Sequence, residues 1–234
     1  MENFCVIVPA YQEEGRIGSV VEGMRKYCDH VVVVDDGSED GTSEEAKKAG
    51  AIVIRHDVNM GQGAALNSGF KYAQEHGFDF LITMDADGQH DADDIPHFVE
   101  AYVCTDTPVL IGNRMGNPET MPLVRRLTNR FMSWLLSRRM NQYVPDTQCG
   151  FRLYRCDVIP FIFTESQRYA AQSEVLLHLA ERHIRIGAVP IKVIYGDEKS
   201  KINPFKDTIR FFAMFWRYCR QKQVEKRKEF FHAG

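Results

Sequence analysis

The chain has 234 residues, 44% of them apolar and 26% charged, which is ordinary for a soluble globular protein and long enough to bury one real core. Collagen, a coiled coil and wholesale disorder are excluded. The net charge of −3 hides an asymmetry: residues 1–100 hold 7 Lys and Arg against 20 Asp and Glu, while residues 101–234 hold 22 against 12. Such a division implies two partners, a metal for the acidic half and an anion or membrane surface for the basic one.

In chain order, Asn3–Pro9 is a short apolar run ended by proline and is predicted as a buried strand. Ile17–Tyr27 has helical spacing, and Val31–Val34 is four consecutive valines, the mark of a parallel strand covered on both faces. A helix is predicted to open at Thr42 or Ser43, followed by a strand over Ala51–Ile54, a helix over Ala64–His76, a strand over Phe80–Met84, a helix over Ile95–Tyr102 and a strand over Val109–Ile111. This alternation argues for an α/β fold with a mostly parallel sheet.

After residue 114 the rhythm changes. Leu123–Met140 is predicted as a long basic amphipathic helix, Phe151–Tyr154 as a strand and Ser173–Arg182 as a helix. Ile184–Tyr195 reads as one or two strands broken at Pro190, and Phe205–Gln221 as a Phe- and Trp-rich helix running into a charged tail. No linker rich in Pro, Gly or Ser appears, so one domain with two functional halves is expected. The N-terminus lacks the pattern of a signal peptide, and no run of 18 uncharged apolar residues occurs. The six cysteines are far apart with no Cys-x-x-Cys, so they are expected as reduced cytosolic thiols and not as a zinc site.

In open α/β sheets ligands bind beyond the carboxyl ends of the strands. Three acidic or polar clusters fall there: Pro9-Ala10-Tyr11-Gln12-Glu13-Glu14, Asp35-Asp36-Gly37-Ser38 and Asp85-Ala86-Asp87-Gly88-Gln89-His90. Asp85 and Asp87 can converge on one hard cation, and oxygen ligands favour Mg²⁺ or Mn²⁺. An EF-hand loop starting at Asp85 fails, since its sixth position is His90 and its twelfth Pro96. Asp35 and Asp36 either bind base or ribose or form a turn that feeds a helix cap at Thr42. Asn59–Asn67 opens a helix with two glycines, which serve either a phosphate cradle or close helix–sheet packing; it is neither a Walker loop nor a full dinucleotide fingerprint.

Together these segments resemble family 2 glycosyltransferases of the GT-A fold, in particular the polyprenyl-phosphate branch of the dolichol-phosphate mannose synthase type. The matching stretches are Val6–Glu14, Val33–Thr42, Asp85–His90, Asp146–Arg152 and Ser200-Lys201, in the family's order. The resemblance implies a GT-A domain over 1–204, with a nucleotide-sugar half to about 114 and an acceptor half from 115, followed by an amphipathic helix and tail over 205–234. It implies that Pro9, Tyr11, Glu13 and Asp36 hold the nucleotide with Asp85. Asp85, Asp87 and Gln89 would hold the metal against the diphosphate, and Arg114, with Arg125 or Arg126, would face the acceptor phosphate. Ser200 and Lys201 would lie on a loop that closes over both substrates. Gln62 stands where the family commonly has lysine, and the transmembrane helices of many relatives are not present in this sequence.

The implied reaction moves a hexose, with inversion, from a GDP- or UDP-sugar to a polyprenyl phosphate. A lipid phosphate is already anionic near pH 7 and needs positioning, which arginine's planar fork provides. A glycan hydroxyl acceptor would need a general base instead, with Asp146 the first candidate and Glu174 the second. The resemblance thus places Asp87, Arg114, Asp146 and Lys201 in the catalytic set. A nucleotidyltransferase would want a Gly-rich first loop with arginine, and a non-catalytic nucleotide-sugar binding module would not need Asp85-x-Asp87. Arg114–Arg139 holds six Arg and one Glu interleaved with Phe131 and Trp134, which fits either an interfacial helix near anionic headgroups or the solvated face of a core-packed helix. The expected location is cytoplasmic, peripheral on the membrane face, and nucleic acid is not an expected partner.

Overall fold

The computed structural model describes residues 2–116, 121–164, 169–192, 194, 209 and 211–220. The chain falls into two compact units, Met1–Glu198 and Lys199–Gly234. In the first, β1 (Phe4–Ala10), β2 (Val31–Asp35), β3 (Ile52–Arg55), β4 (Phe80–Thr83), β5 (Val109–Asn113), β6 (Arg152–Arg155) and β7 (Ile186–Pro190) alternate with α1 (Ile17–Arg25), α2 (Thr42–Lys48), α3 (Gln62–Glu75), α4 (Ile95–Thr105), α5 (Leu123–Met140) and α6 (Tyr169–Glu181). In the second, residues 211–220 are helical.

Among the described residues the strands form one sheet in the order β3-β2-β1-β4-β6-β5-β7. Every pairing is parallel except those of β6, which runs antiparallel between β4 and β5. The four valines of β2 and Cys5–Val8 of β1 are wholly buried, as a sheet covered on both faces requires. The chain winds from β1 through β2 to β3, then crosses back to lay β4 on the other side of β1. That reversal opens a crevice beyond the carboxyl ends of β1 and β4, where this class of sheet binds ligands.

The α/β class and the mostly parallel sheet are as the sequence predicts. Element ends shift by a few residues, and α6 begins at Tyr169 instead of Ser173. The described residues of the Ile184–Tyr195 stretch supply one strand, Ile186–Pro190. β6 begins one residue later than predicted, at Arg152, although the Phe151 carbonyl still accepts from Gly112 N of β5 at 2.8 Å. Residues 205–208 and 221, part of the predicted C-terminal helix, lie outside the described residues, as does the 204/205 boundary.

α3 packs directly on β1, and Gly69 sets the approach: a Cβ there would lie 2.2 Å from Ile7 Cγ2. Gly69→Ala should gain about 1 kcal/mol of helix propensity and lose more to overpacking, which costs about 1–3 kcal/mol. The expected result is a lower urea midpoint than wild type. A midpoint equal to or above wild type would mean that α3 does not press on β1 here.

Candidate active site

The β1 and β2 ends are tied together before they present any side chain. Asp36 N donates to Ala10 O at 2.8 Å. Gln12, held at φ 53°, donates its N–H to Ser38 Oγ at 2.9 Å, and Glu13 N donates to Thr42 Oγ1 at 2.9 Å. Glu13 is buried with Arg16 3.4 Å from its carboxylate, and Tyr11 stands 40% exposed at the mouth. Asp35 is consumed internally, by Ser38 N at 2.9 Å and by the Ser43 hydroxyl.

Asp36 is committed to a loop. Its Oδ1 accepts from Met60 N at 2.9 Å and its Oδ2 from Gly61 N at 2.7 Å. His56 Nδ1 lies 2.8 Å from Oδ1, and the other ring nitrogen lies 2.9 Å from Ser68 Oγ on α3. Gly61 has φ 94°, a left-handed value that glycine adopts without strain. Asp36 thus pins the turn that launches α3 and aims Gln62 at the β4 end. Gly37, at φ 75°, lets the same loop approach: a Cβ there would meet the Val58 carbonyl carbon at 2.6 Å.

At the β4 end, Asp85 accepts from Gln62 Nε2 at 3.1 Å and faces His90 Nε2 at 3.4 Å. Burial opposes its ionisation, yet the His90 contact and the charges of His90, Arg114 and Arg152 hold its carboxyl below the usual range. Asp87 goes the other way. Burial and the neighbouring charges of Asp85 and Glu13 push its carboxyl up, against a hydrogen bond from Gln89 N at 3.0 Å. The two β4-end carboxyls thus sit close together in a buried setting, with like charge as one cause that raises the second. A divalent cation would offset the repulsion between them, and two carboxylates suit a hard ion that keeps waters and diphosphate oxygens as its other ligands. Among the described residues no cluster of three or more His, Cys, Asp or Glu offers a fuller cage.

Arg114 and Asp146 are brought together, though differently from the sequence expectation. Arg114 Nε donates to Asp146 Oδ2 at 2.7 Å and Nη2 to Oδ1 at 2.9 Å, a bidentate pair buried on both sides. Asp146 also accepts from Arg114 N at 3.2 Å and Asn129 Nδ2 of α5 at 2.9 Å. Burial disfavours its charge, but Arg114 outweighs that and holds the carboxyl well below the usual range. In the structure Asp146 is a buried carboxylate whose oxygens accept four hydrogen bonds, an arrangement that favours anchoring Arg114 over taking up a proton. Glu174 is likewise engaged, by Thr164 Oγ1 at 2.6 Å.

Three contributors had no role in the sequence reading. Arg152 is almost wholly buried in β6, donating Nε to Cys149 O at 2.7 Å, Nη2 to Thr147 O at 2.8 Å and Nη1 to Gln172 O at 2.8 Å. It fixes the 147–150 turn beside Asp85. Gly150 ends that turn, and a Cβ on it would lie 2.4 Å from Asp85 Oδ2. His90 completes the acid's surroundings. A charged residue inside an apolar strand was the available signal for Arg152. Arg125 and Arg126 lie in the first turns of α5, and Ser200 and Lys201 lie outside the described residues.

The family model for glycosyl transferase family 2 matches residues 5–163. The chain is 33% identical to the UDP-N-acetylglucosamine–dolichyl-phosphate N-acetylglucosaminyltransferase of Methanococcus voltae, over 82% of this chain and 86% of that one. It is 30% identical to the undecaprenyl-phosphate mannosyltransferase of Micrococcus luteus, over 80% and 82%. The glucosyl-3-phosphoglycerate synthase of Mycobacterium tuberculosis, solved with UDP, superposes with a TM-score of 0.73 at 18% identity, over 93% of this chain and 80% of that one. At that identity the likeness is one of fold.

Asp146→Asn leaves the Arg114 charge buried without its counter-charge, which costs about 3–5 kcal/mol. A folded-state carboxyl held low contributes stability that is present above its unfolded value and lost as pH falls through the folded one. The wild type should therefore lose more stability than Asp146→Asn on acidification below about pH 4, read from urea midpoints across pH. Parallel acid profiles would show that the pair is not ionised. Gly150→Ala should retain the fold's far-UV spectrum yet weaken divalent-cation binding by displacing Asp85; unchanged cation affinity would remove Asp85 from the cation site.

Proposed function

The chain belongs to glycosyl transferase family 2, and we propose that it is the enzyme that moves a hexose, with inversion, from a nucleoside diphosphate sugar to the phosphate of a polyprenyl lipid. The M. voltae and M. luteus relatives are named for different sugars, N-acetylglucosamine and mannose, but both for polyisoprenoid phosphates, so the acceptor class is what their likeness supports. The observation that carries the reading is the state of the two candidate bases. Asp146 is locked to Arg114 and Asn129, and Glu174 accepts from Thr164. A hydroxyl acceptor needs a base, whereas a lipid phosphate arrives already anionic.

In this reading Tyr11, with Pro9 and Glu13, lines the nucleotide side, and Asp36 acts by holding the Met60-Gly61 turn in place. Asp85 and Asp87, with Gln89, would hold Mg²⁺ or Mn²⁺. The cation, when bound, neutralises charge on the leaving diphosphate. Gln62 and His90 orient Asp85, and Arg152 holds the turn carrying Gly150 beside it. Arg114, anchored by Asp146, adds fixed positive charge close to Asp85, on the side from which an anionic acceptor would come. Arg125, Arg126, Ser200 and Lys201 are the proposed acceptor-phosphate contacts. The nucleophile attacks in line behind the departing diphosphate, and no proton needs to be taken from it. Such work is done at a membrane surface, and no described helix is long and apolar enough to cross one, so the association is proposed as peripheral, on the cytoplasmic face.

The test is direct. With Mn²⁺ and radiolabelled GDP- and UDP-sugars, label should move into the organic phase only when polyprenyl phosphate is present. Label only on soluble glycans would transfer the reading to a hydroxyl acceptor. Asp87→Asn should cut turnover by at least about a hundredfold with an unchanged far-UV spectrum; retained turnover would remove Asp87 from the site.

A further inference from the structure

Along α5 and the following residues runs a groove of about 1050 Å³. Arg126, Arg130 and Arg138 line it, with Trp134 and Tyr143 as aromatic walls, and no acidic side chain among the described residues does so. None of the three guanidinium groups has a carboxylate within salt-bridge distance among the described residues, and Arg126 Nε is buried without a hydrogen-bond partner. Three unpaired like charges in one groove are a cost that an anionic ligand would recover.

Helix stability does not explain them. The C-terminal dipole favours Arg138 in the last turn, but Arg126 stands in the early turns, where the dipole disfavours cations and no acid offsets it. The spacing argues against one small anion. Arg130 and Arg138 are eight residues apart, about 12 Å along the helix, and Arg126 lies about 6 Å further. A single phosphate cannot bridge that span, whereas a row of headgroups can. Beside the groove α5 also leaves Leu123, Leu127, Phe131 and Trp134 more than half exposed, at the 3- and 4-residue spacing of one helix face. Asn129, Met132, Ser133, Leu136 and Met140 face the interior instead. An exposed apolar face flanked by arginines matches a lipid–water interface.

We infer that the α5 groove docks the phosphate headgroups of anionic membrane lipids through Arg130 and Arg138, a role distinct from the acceptor-phosphate contact proposed for Arg126. It extends the proposed lipid-linked reaction by naming what holds the enzyme at the surface, and it rests on that reading only for the presence of a membrane substrate.

The probe is the full chain mixed with vesicles of phosphatidylcholine alone or of phosphatidylcholine with phosphatidylglycerol, followed by sedimentation. Wild type should bind the anionic vesicles more tightly, and less so as salt rises. The Arg130→Gln/Arg138→Gln variant, altered at two exposed positions, should bind them about thirtyfold more weakly. Equal binding by variant and wild type would overturn the inference. So would release of the wild type by inorganic phosphate beyond the effect of chloride at equal ionic strength, which would mark a free-phosphate site. Turnover on detergent-dispersed polyprenyl phosphate should be the same in variant and wild type; a selective loss in the variant would reassign the groove to the acceptor itself. Vesicle binding is read without turnover, so failure of the proposed reaction and failure of this docking site give different results.

Discussion

Two carboxylates placed two residues apart at the end of a buried strand cannot both be ionised cheaply, and the organisation of this protein follows from how it handles that repulsion. Asp85 is stabilised as an anion by His90 and by the charges of Arg114 and Arg152. Asp87 is left with burial and the like charges of Asp85 and Glu13, which push its carboxyl up. The two carboxyls are thus shifted in opposite directions by their surroundings. The crossover between β3 and β4 puts this pair next to the β1 end, so Glu13 and Tyr11 come to the same crevice from a distant part of the sequence.

The cations that balance Asp85 come from the second half of the chain, and their own positions are expensive. Arg114 follows β5 and is held by Asp146, which precedes β6; Asn129 of α5 joins the same carboxylate. Arg152 carries a charge into the core on hydrogen bonds to three backbone carbonyls and the Tyr154 hydroxyl. The antiparallel insertion of β6 between β4 and β5 is what delivers both residues beside Asp85. A buried pair of this kind is weak support for stability, since its desolvation cost rivals its attraction. Its retention here fits a positioning role, with positive charge held rigid beside Asp85.

Much of this was legible in the sequence. The four valines of β2, the strand-end acids and the alternation of elements predict the α/β class and locate the crevice. α5 matches its predicted span from Leu123 to Met140, because its apolar spacing is regular and uninterrupted. What composition and spacing could not give was pairing. Asp146 reads as a candidate base because a lone acid after a proline looks available, and only the fold brings Arg114 onto it from 32 residues away. Asp36 reads as a nucleotide ligand, and the fold adds a second task that spacing could not show, holding the Met60 and Gly61 amides. The choice between an interfacial and a core-packed α5 was equally closed to sequence, since one helix can bury Leu136 while exposing Phe131 and Trp134.

The two halves of the charge map thus have distinct tasks. The acidic half gathers Glu13, Asp85 and Asp87 at the crevice, and the basic half contributes Arg114 and Arg152 to it and lays Arg126, Arg130 and Arg138 along α5. The central claim is that the β4 acids and a divalent cation together make the site for the nucleoside diphosphate. Calorimetric titration of UDP and of GDP into the protein, with and without Mn²⁺, tests it most directly. The account predicts that one of the two nucleotides binds at least about tenfold more tightly with the cation, and that Asp85→Asn abolishes this gain. Equal affinity with and without Mn²⁺, or a gain that survives Asp85→Asn, would contradict it.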